Sequence, residues 1–535
     1  MRTKRLRGRV WVLVAAVTVV LAGCTQPTGD DGGGDTTGPS FAGVETVSAN
    51  GLTRATLSWQ PATDEASASA DIRYEVWQAD VNSISTTTTP ALTTSPGATS
   101  AELTVPGFRE QFFLVQAVDE AGNRDGNTVV DSITTTQAIW NRIDGGGENG
   151  VNETEVLETR PVLESVGGEL YAAWVDQAND VLRVSRYDGD GTTGDWTAVD
   201  DGGVSIDTSV TGEPVALRAF EGRLYAAWIE LLNDGTGQSS SQVRVGVYDP
   251  ADATAGWTIV DGTPTGGLNR DETNNGSQVR LAVAGDTLYA VWVESFLSTN
   301  LYAAAYDGDD SAPSWTDLGG DLEYDSVDIP REPDAVGFEG DLIVVWEEDS
   351  AIRAKVYDPG ADAWSPFEGG GSGLNYDSGS TAYSPRLAVA GDELYLVWTE
   401  DDADFNVQVR ARVRDAGGWP LIDGGGAAGL NFGGSVEGVL DAPAPFALNG
   451  VLYVAFAEKD ATDIARLRVV AYNGDATSPD WQFVDGAASG GLNPSSTYEA
   501  EYPAAAGHNG SLVVTWIEEV GAVAELFDVR VIRGR

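Results

Sequence analysis

LYAAWVD, residues Leu170 to Asp176, decides the fold because it comes back. Variants stand at Leu224 (LYAAWIE), Leu288 (LYAVWVE), Leu342 (LIVVWEE), Leu394 (LYLVWTE), Leu452 (LYVAFAE) and Leu512 (LVVTWIE). A second marker is a Trp run entering an Asp-Gly turn, at Trp140, Trp196, Trp257, Trp315, Trp364, Trp419 and Trp481. A Tyr corner precedes most of these, at Tyr187, Tyr248, Tyr306, Tyr357 and Tyr472. A Gly-rich loop ending in Leu-Asn follows several, at Asn269, Asn375, Asn431 and Asn493, and a Pro opens the next run.

From Ala138 to the end there are thus seven copies of about 57 residues, each with four strand-like runs. Four strands per repeat at this period predict a seven-bladed β-propeller. One repeat alone cannot bury its Trp and Tyr faces, whereas a closed ring buries them and protects the strand edges. The phase of the repeat sharpens this. The series opens with a lone Trp run at Trp140 and closes with a third run, ELFDVRVIRGR, that has no Trp run after it. The two fragments make one blade, so the ring is expected to close between the two ends of the repeat region.

Half of the repeat resembles kelch, on VRVGVYDPADATAGW (Val243 to Trp257) and IRAKVYDPGADAW (Ile352 to Trp364). The Gly-Gly pair of that family is replaced by Trp-x-Glu, and no clear sialidase Asp-box is present, so the propeller family stays open. Residues 41–137 read as short alternating strands between Gly, Pro, Asp and Ser clusters, a β-sandwich pattern. This stretch resembles a fibronectin type III domain, on Trp59, Tyr74, Leu103 before the Pro106-Gly107 turn, and the run Phe112 to Asn123. Phe112 or Phe113 stands where that family usually has Tyr, and there is no RGD. The resemblance implies a spacer or adhesion module. The expected class is therefore all-β: a fibronectin type III-like sandwich plus a seven-bladed propeller over 138–535.

The N-terminus carries Arg2, Lys4, Arg5, Arg7 and Arg9, then an apolar run from Val10 to Ala22. That is the layout of an export signal, too short to span a bilayer comfortably. Leu21-Ala22-Gly23-Cys24 resembles the bacterial lipobox, which implies lipidation of Cys24, a leader over 1–23 and anchoring by several acyl chains. Residues 24–40, rich in Gly, Thr and Asp, are expected to form a flexible tether. The location implied is the bacterial cell envelope, with the membrane as a partner through the anchor.

Composition narrows the function. The 535 residues hold 31 Lys plus Arg against 82 Asp plus Glu, one Cys, one His and one Met. One Cys allows neither an internal disulfide nor a Cys-based zinc site, and one His excludes multi-histidine metal sites. So acidic a chain is not expected to bind nucleic acid. No nucleophile elbow, phosphate loop or HExxH motif is visible. His508 reads as an exposed turn residue.

Three features could carry function. The acids closing the repeated strand, Asp176, Glu230, Glu294, Glu348, Glu400, Glu458 and Glu518, would form a ring on one face. Such a ring could bind cations or a polycationic partner, or accept hydrogen bonds from neighbouring blades. Asp-Gly-Asp corners, YDGDGTTGD from Tyr187 and YDGDD from Tyr306, could hold calcium, although Asp-Gly is also an ordinary hairpin turn. No other cofactor is implied. Loops lengthened at Glu230 to Gln242 and Leu268 to Gln278 break the symmetry, and Tyr324, Tyr376, Phe432 and Tyr498 follow the Asn or Asp loops. The leading reading is a lipid-anchored protein whose propeller binds a polymer, glycan or protein. The alternatives are a glycoside hydrolase or lyase acting through carboxylates, and an envelope assembly platform.

Overall fold

A computed structural model describes residues 35–144, 151, 160–177, 179–189, 196–205, 209–233, 239–262, 267–319, 322–324, 328–367, 373–426, 429–432, 439, 441–460, 462–486, 491–494, 497–519 and 527–534. The leader, Cys24 and the first part of the tether lie outside these residues. Among the described residues no helix is long and apolar enough to cross a membrane.

Two sheets form the first unit. Strands β1 (Thr46–Ala49), β2 (Arg54–Ser58) and β5 (Ser100–Thr104) make one, in the order β1-β2-β5. Strands β4 (Leu92–Thr93), β3 (Arg73–Ala79), β6 (Gln111–Val118) and β7 (Val130–Ile133) make the other, in the order β4-β3-β6-β7. Alternation in RATLS and AELT turns Ala55, Leu57, Ala101 and Leu103 inward, where they meet Trp59, Tyr74, Val76, Phe113 and Val115 in one core. Residues 35–40, expected in the tether, lie along this unit. Ser40 pairs with Thr63, and Asn123 Nδ2 donates to the Asp35 carbonyl at 3.1 Å.

The repeats form seven sheets. Their inner strands are Val162–Val166, Ala216–Phe220, Asn275–Ala284, Arg331–Phe338, Ala382–Ala390, Ala444–Leu448 and Ala500–His508. Each packs against the next in chain order, and the seventh lies against the first, so the sheets close a ring as the blades of a β-propeller. The cores lie between blades rather than within them. Val243 and Val245 of blade 2 meet Leu281 and Leu288 of blade 3, while Leu163 and Leu170 of blade 1 meet Val513, Val529 and Val531 of blade 7. The ring closes where the repeat phase requires. The last strand, Phe527–Gly534, pairs with Trp140–Arg142 in the register Ile532↔Arg142 and Gly534↔Trp140.

The repeated residues are the ties between blades. Six of the seven repeat Trp residues donate their Nε1 to a carbonyl of the preceding blade, among them Trp257 to Val199, Trp315 to Val260, Trp481 to Ile422 and, across the closure, Trp140 to Val484; the Trp364 indole makes no such bond. The Leu-Asn loop extends the third strand by one surrogate pairing. Asn269 Oδ1 accepts from Val243 N at 2.9 Å while its Nδ2 donates to the Ser241 carbonyl, and Asn375, Asn431 and Asn493 repeat the arrangement. Blade 5 departs from the expected four strands. It has three, and the Trp419 segment joins by the isolated bridges Arg412↔Leu421 and Asp415↔Gly418. Pro420 directly after Trp419 removes an N–H that the ladder would need. His508 is not an exposed turn residue. It ends the inner strand of blade 7, buried, with Nδ1 3.0 Å from Ser165 Oγ of blade 1, and burial and nearby Arg533 push its pKa down.

Candidate active site

The seven strand-end acids are all buried. Glu294, Glu348, Glu400 and Glu458 each accept the backbone N–H of the residue after the Asn or Asp loop from the preceding blade, namely Arg270, Tyr324, Tyr376 and Phe432. The Trp two residues earlier donates its Nε1 to Glu230, Glu294, Glu348 and Glu400, because side chains at i and i+2 share a strand face. Asp176 accepts from Asn179, and Glu518 pairs with Arg530 at 3.1 Å. These carboxylates hold loops and strands in place and do not present an open ring. Glu348→Ala would leave the Tyr324 amide and the Trp346 indole buried without their acceptor. The expected cost is about 2–5 kcal/mol in a urea unfolding curve; a loss below about 1 kcal/mol would show that the tie is not needed.

The Asp corner at Tyr306 behaves as a turn. Asp309 accepts from the Ser311 amide and hydroxyl, and Asp310 accepts from the hydroxyls of Tyr225 and Tyr306 and pairs with Arg223. Most of the loop after Asp188 lies outside the described residues. Among those described, three carboxylates approach one another in Asp35, Asp64 and Asp119 of the first unit, with ligand atoms within 4.8 Å. Tyr376 and Phe432 remain exposed, Tyr376 beneath Arg410 at 4.1 Å from its ring and Phe432 edge-on to Phe483, whereas Tyr324 stacks on Trp346.

What sequence reading missed lies in the central channel. The inner strands enclose a cavity of about 510 Å³, walled by residues including Val162, Val215, Leu281, Leu387 and Ala504. At its mouth the residue before the repeat's Pro varies around the ring, with only Glu used twice: Arg160, Glu213, Gln278 (before Val279), Glu332, Ser384, Ala442 and Tyr502. In four blades the inner strand bulges there, between Ser277 and Arg280, Arg331 and Asp334, Tyr383 and Arg386, and Glu501 and Ala504. Gln278, Glu332, Ser384 and Tyr502 accordingly take positive φ, between 45° and 55°. A bulge re-aims a side chain, and left-handed backbone at a non-glycine residue, three times just before proline, is costly. The repeat thus keeps a strained device at the mouth and varies what it displays.

Charge gathers on that device. Glu332 Oε2 lies 2.7 Å from Arg386 of blade 5, 3.1 Å from Arg160 on the far side of the ring and 3.9 Å from Arg280 of blade 3. Asp334 stands 3.8 Å from Arg280 and accepts the Leu387 N–H. Arg160 also lies over the Tyr502 ring at 5.2 Å. Burial would raise the Glu332 carboxyl, but Arg386, Arg160 and Arg280 outweigh it and hold its pKa at about 2. Burial, reinforced by Arg386, draws Arg280 down to about 10.

Two carboxyls beside this hub shift the other way. Burial pushes Glu213 up, against the Gln278 amide, and the Glu332 charge adds to the rise. Burial likewise pushes Asp441 up, against the Tyr502 amide, which donates to it at 3.0 Å; Arg160 opposes the rise and Glu332 adds to it. One ionised carboxylate and two carboxyls biased toward protonation, with separated titrations, is the arrangement that divides acid and base roles. The open end of the channel also carries exposed Phe296, Leu297 and Phe405, in the turns between second and third strands of blades 3 and 5.

No family model and no curated protein matches this chain. Among solved structures it is similar to the polysaccharide lyase Uly1, at 10 % identity over 71 % of this chain and 90 % of that one, with a TM-score of 0.47. It is also similar to a mutant α-L-arabinofuranosidase from Fusarium graminearum, at 12 % identity over 74 % and 97 %, TM-score 0.40. A Trypanosoma rangeli sialidase follows at 11 % identity over 61 % and 56 %, TM-score 0.38. Likeness at this level transfers no residue and no activity.

Proposed function

We propose that the channel mouth is the active site of a seven-bladed propeller enzyme that cleaves glycosidic bonds in a polysaccharide through its carboxyl groups. The observation that carries the reading is the split between Glu332, held ionised, and Glu213 and Asp441, biased toward the protonated form, around one asymmetric mouth. Glu213 and Asp441 are the candidates to protonate the leaving oxygen, and their ionised forms to act as base. Burial keeps both raised, and the Glu332 charge adds to it. Exposed aromatics on the same face suit stacking against sugar rings.

The rest of the chain fits an exported protein. Cys24 is the proposed lipid attachment, the first unit a fibronectin type III-like spacer, and the cell envelope the location. The order β1-β2-β5 against β4-β3-β6-β7 supports the spacer assignment. The binding-only reading makes a different forecast, retention of polysaccharide without product. The test is incubation with a panel of neutral and acidic polysaccharides, followed by chain-length analysis. Shortened chains with wild type, and none with the Glu213→Gln/Asp441→Asn double variant, are the expected result. Binding without shortening on every polymer would leave a glycan-binding module.

A further inference from the structure

On a chain with 82 acids and 31 bases, three arginines gather at the channel mouth. Three guanidinium groups from blades 1, 3 and 5 converge on a single oxygen of Glu332. Sequence gives no reason for this: the three lie 120 and 106 residues apart and occupy two different repeat positions, Arg160 before the Pro, Arg280 and Arg386 one past it. Gathering like charges in a confined space is unfavourable, as the lowering of Arg280 by Arg386 and Arg160 records. Glu332 and Asp334 are the carboxylates paired directly with these arginines.

The spot is reachable. Arg160 keeps 28 % of its side chain exposed, Glu332 19 %, and Arg280 and Arg386 13 % each. Glu332 is delivered there by a strained residue, φ 45° before Pro333, so its carboxylate is placed by the backbone rather than drawn in by the arginines alone. A carboxylate fixed among three arginines shows what the pocket recognises, since the guanidinium fork matches that group in shape and charge.

We propose that Arg160, Arg280 and Arg386 form a receptor for a carboxylate of the substrate, so that the polymer acted on is built of acidic, uronate-type sugars, with Glu332 as an internal stand-in for that group. The inference rests on the glycan reading above. It places the sugar carboxylate beside Glu213 and Asp441, both of which are coupled to the same charges.

The test is made on the full chain carrying Glu213→Gln and Asp441→Asn, so that affinity is read without turnover. Calorimetry with a galacturonate tetramer, a glucuronate-containing tetramer and their carboxyl-reduced counterparts supplies the comparison. Acidic forms are expected to bind at least ten-fold tighter, with affinity falling as salt rises. Adding Arg280→Met should remove most of that preference while leaving the neutral tetramers unaffected. Adding Glu332→Gln should act oppositely and tighten acidic forms several-fold, which guards against a variant that merely misfolds. Equal affinity for acidic and carboxyl-reduced tetramers, or weaker acidic binding by Glu332→Gln, would make the cluster a structural plug of the channel. Cleavage of neutral polymers by wild type without acidic preference would overturn this inference and leave the proposed activity standing. Absence of cleavage with strong acidic preference would do the reverse.

Discussion

Truncation after Val520 is expected to abolish cooperative melting of the whole propeller, not of its last blade alone. The lost strand, Phe527–Gly534, is hydrogen-bonded on both edges, to Ser511–Glu519 and to Trp140–Arg142. It also buries Val529, Val531 and Ile532, and two of these belong to the core shared by blades 7 and 1. Burying three such side chains is worth about 5–9 kcal/mol, which alone rivals the stability of a typical domain. Without the strand, Trp140–Arg142 has no partner, two sheet edges open to solvent, and the interface that closes the ring is gone. Calorimetry would show the major transition broadened or absent. A truncated protein that melts in one sharp transition within a few degrees of wild type would mean that the closure is dispensable.

The second large effect concerns the mouth. If Glu213 or Asp441 donates the proton, replacing the donor by its amide should lower kcat on an acidic polysaccharide by about 10²–10⁴-fold. The pH dependence follows in sign. Both carboxyls have pKa values raised above the ordinary range in the folded protein, so the donor is protonated at low pH and activity falls as pH rises through its folded pKa. By the same linkage each contributes stability below its unfolded pKa that is lost as pH rises through the folded value. Glu332 runs the other way. Its contribution is present above the ordinary carboxylate range and is lost only as pH falls toward about 2. The mouth should therefore keep its shape in acid while activity is lost on the alkaline side. A pH–rate profile for wild type, Glu213→Gln and Asp441→Asn checks this. An alkaline limb unchanged in both variants would remove these residues from the proton transfer.

The scaffold was legible because it repeats. A Trp, a Tyr corner, a Leu-Asn loop and a strand-end acid recur since each makes the same tie to the next blade, and periodic chemistry shows in one sequence. Trp419 was the exception, where Pro420 defeats a ladder that the pattern alone implies. The site was hidden for the complementary reason. Arg160, Glu332, Ser384 and Tyr502 share one repeat position and no chemistry, so a search for recurring residues passes over them. The available signal was the contrast itself, a Pro kept in six of the seven repeats and preceded by a residue that varies among the blades. The convergence of Arg160 and Glu332, 172 residues apart, needs the ring to be closed before it exists.

The first unit does not touch the propeller at random. Thr53 Oγ1 donates to the Gly510 carbonyl at 2.6 Å, Arg54 reaches the Asn509 carbonyl, Asn449 reaches Val105, and Leu52 is seated against Tyr453 and Leu512. Asn449, Asn509 and Gly510 are turns between first and second strands, at the end of the blades opposite the mouth. From Tyr502 to His508 the inner strand covers about 20 Å. The molecule is therefore polar in the geometric sense, with a stem below and an opening above. The arginines of the mouth and the contacts to the first unit thus lie at opposite ends of the blades, and the first unit leaves the mouth uncovered.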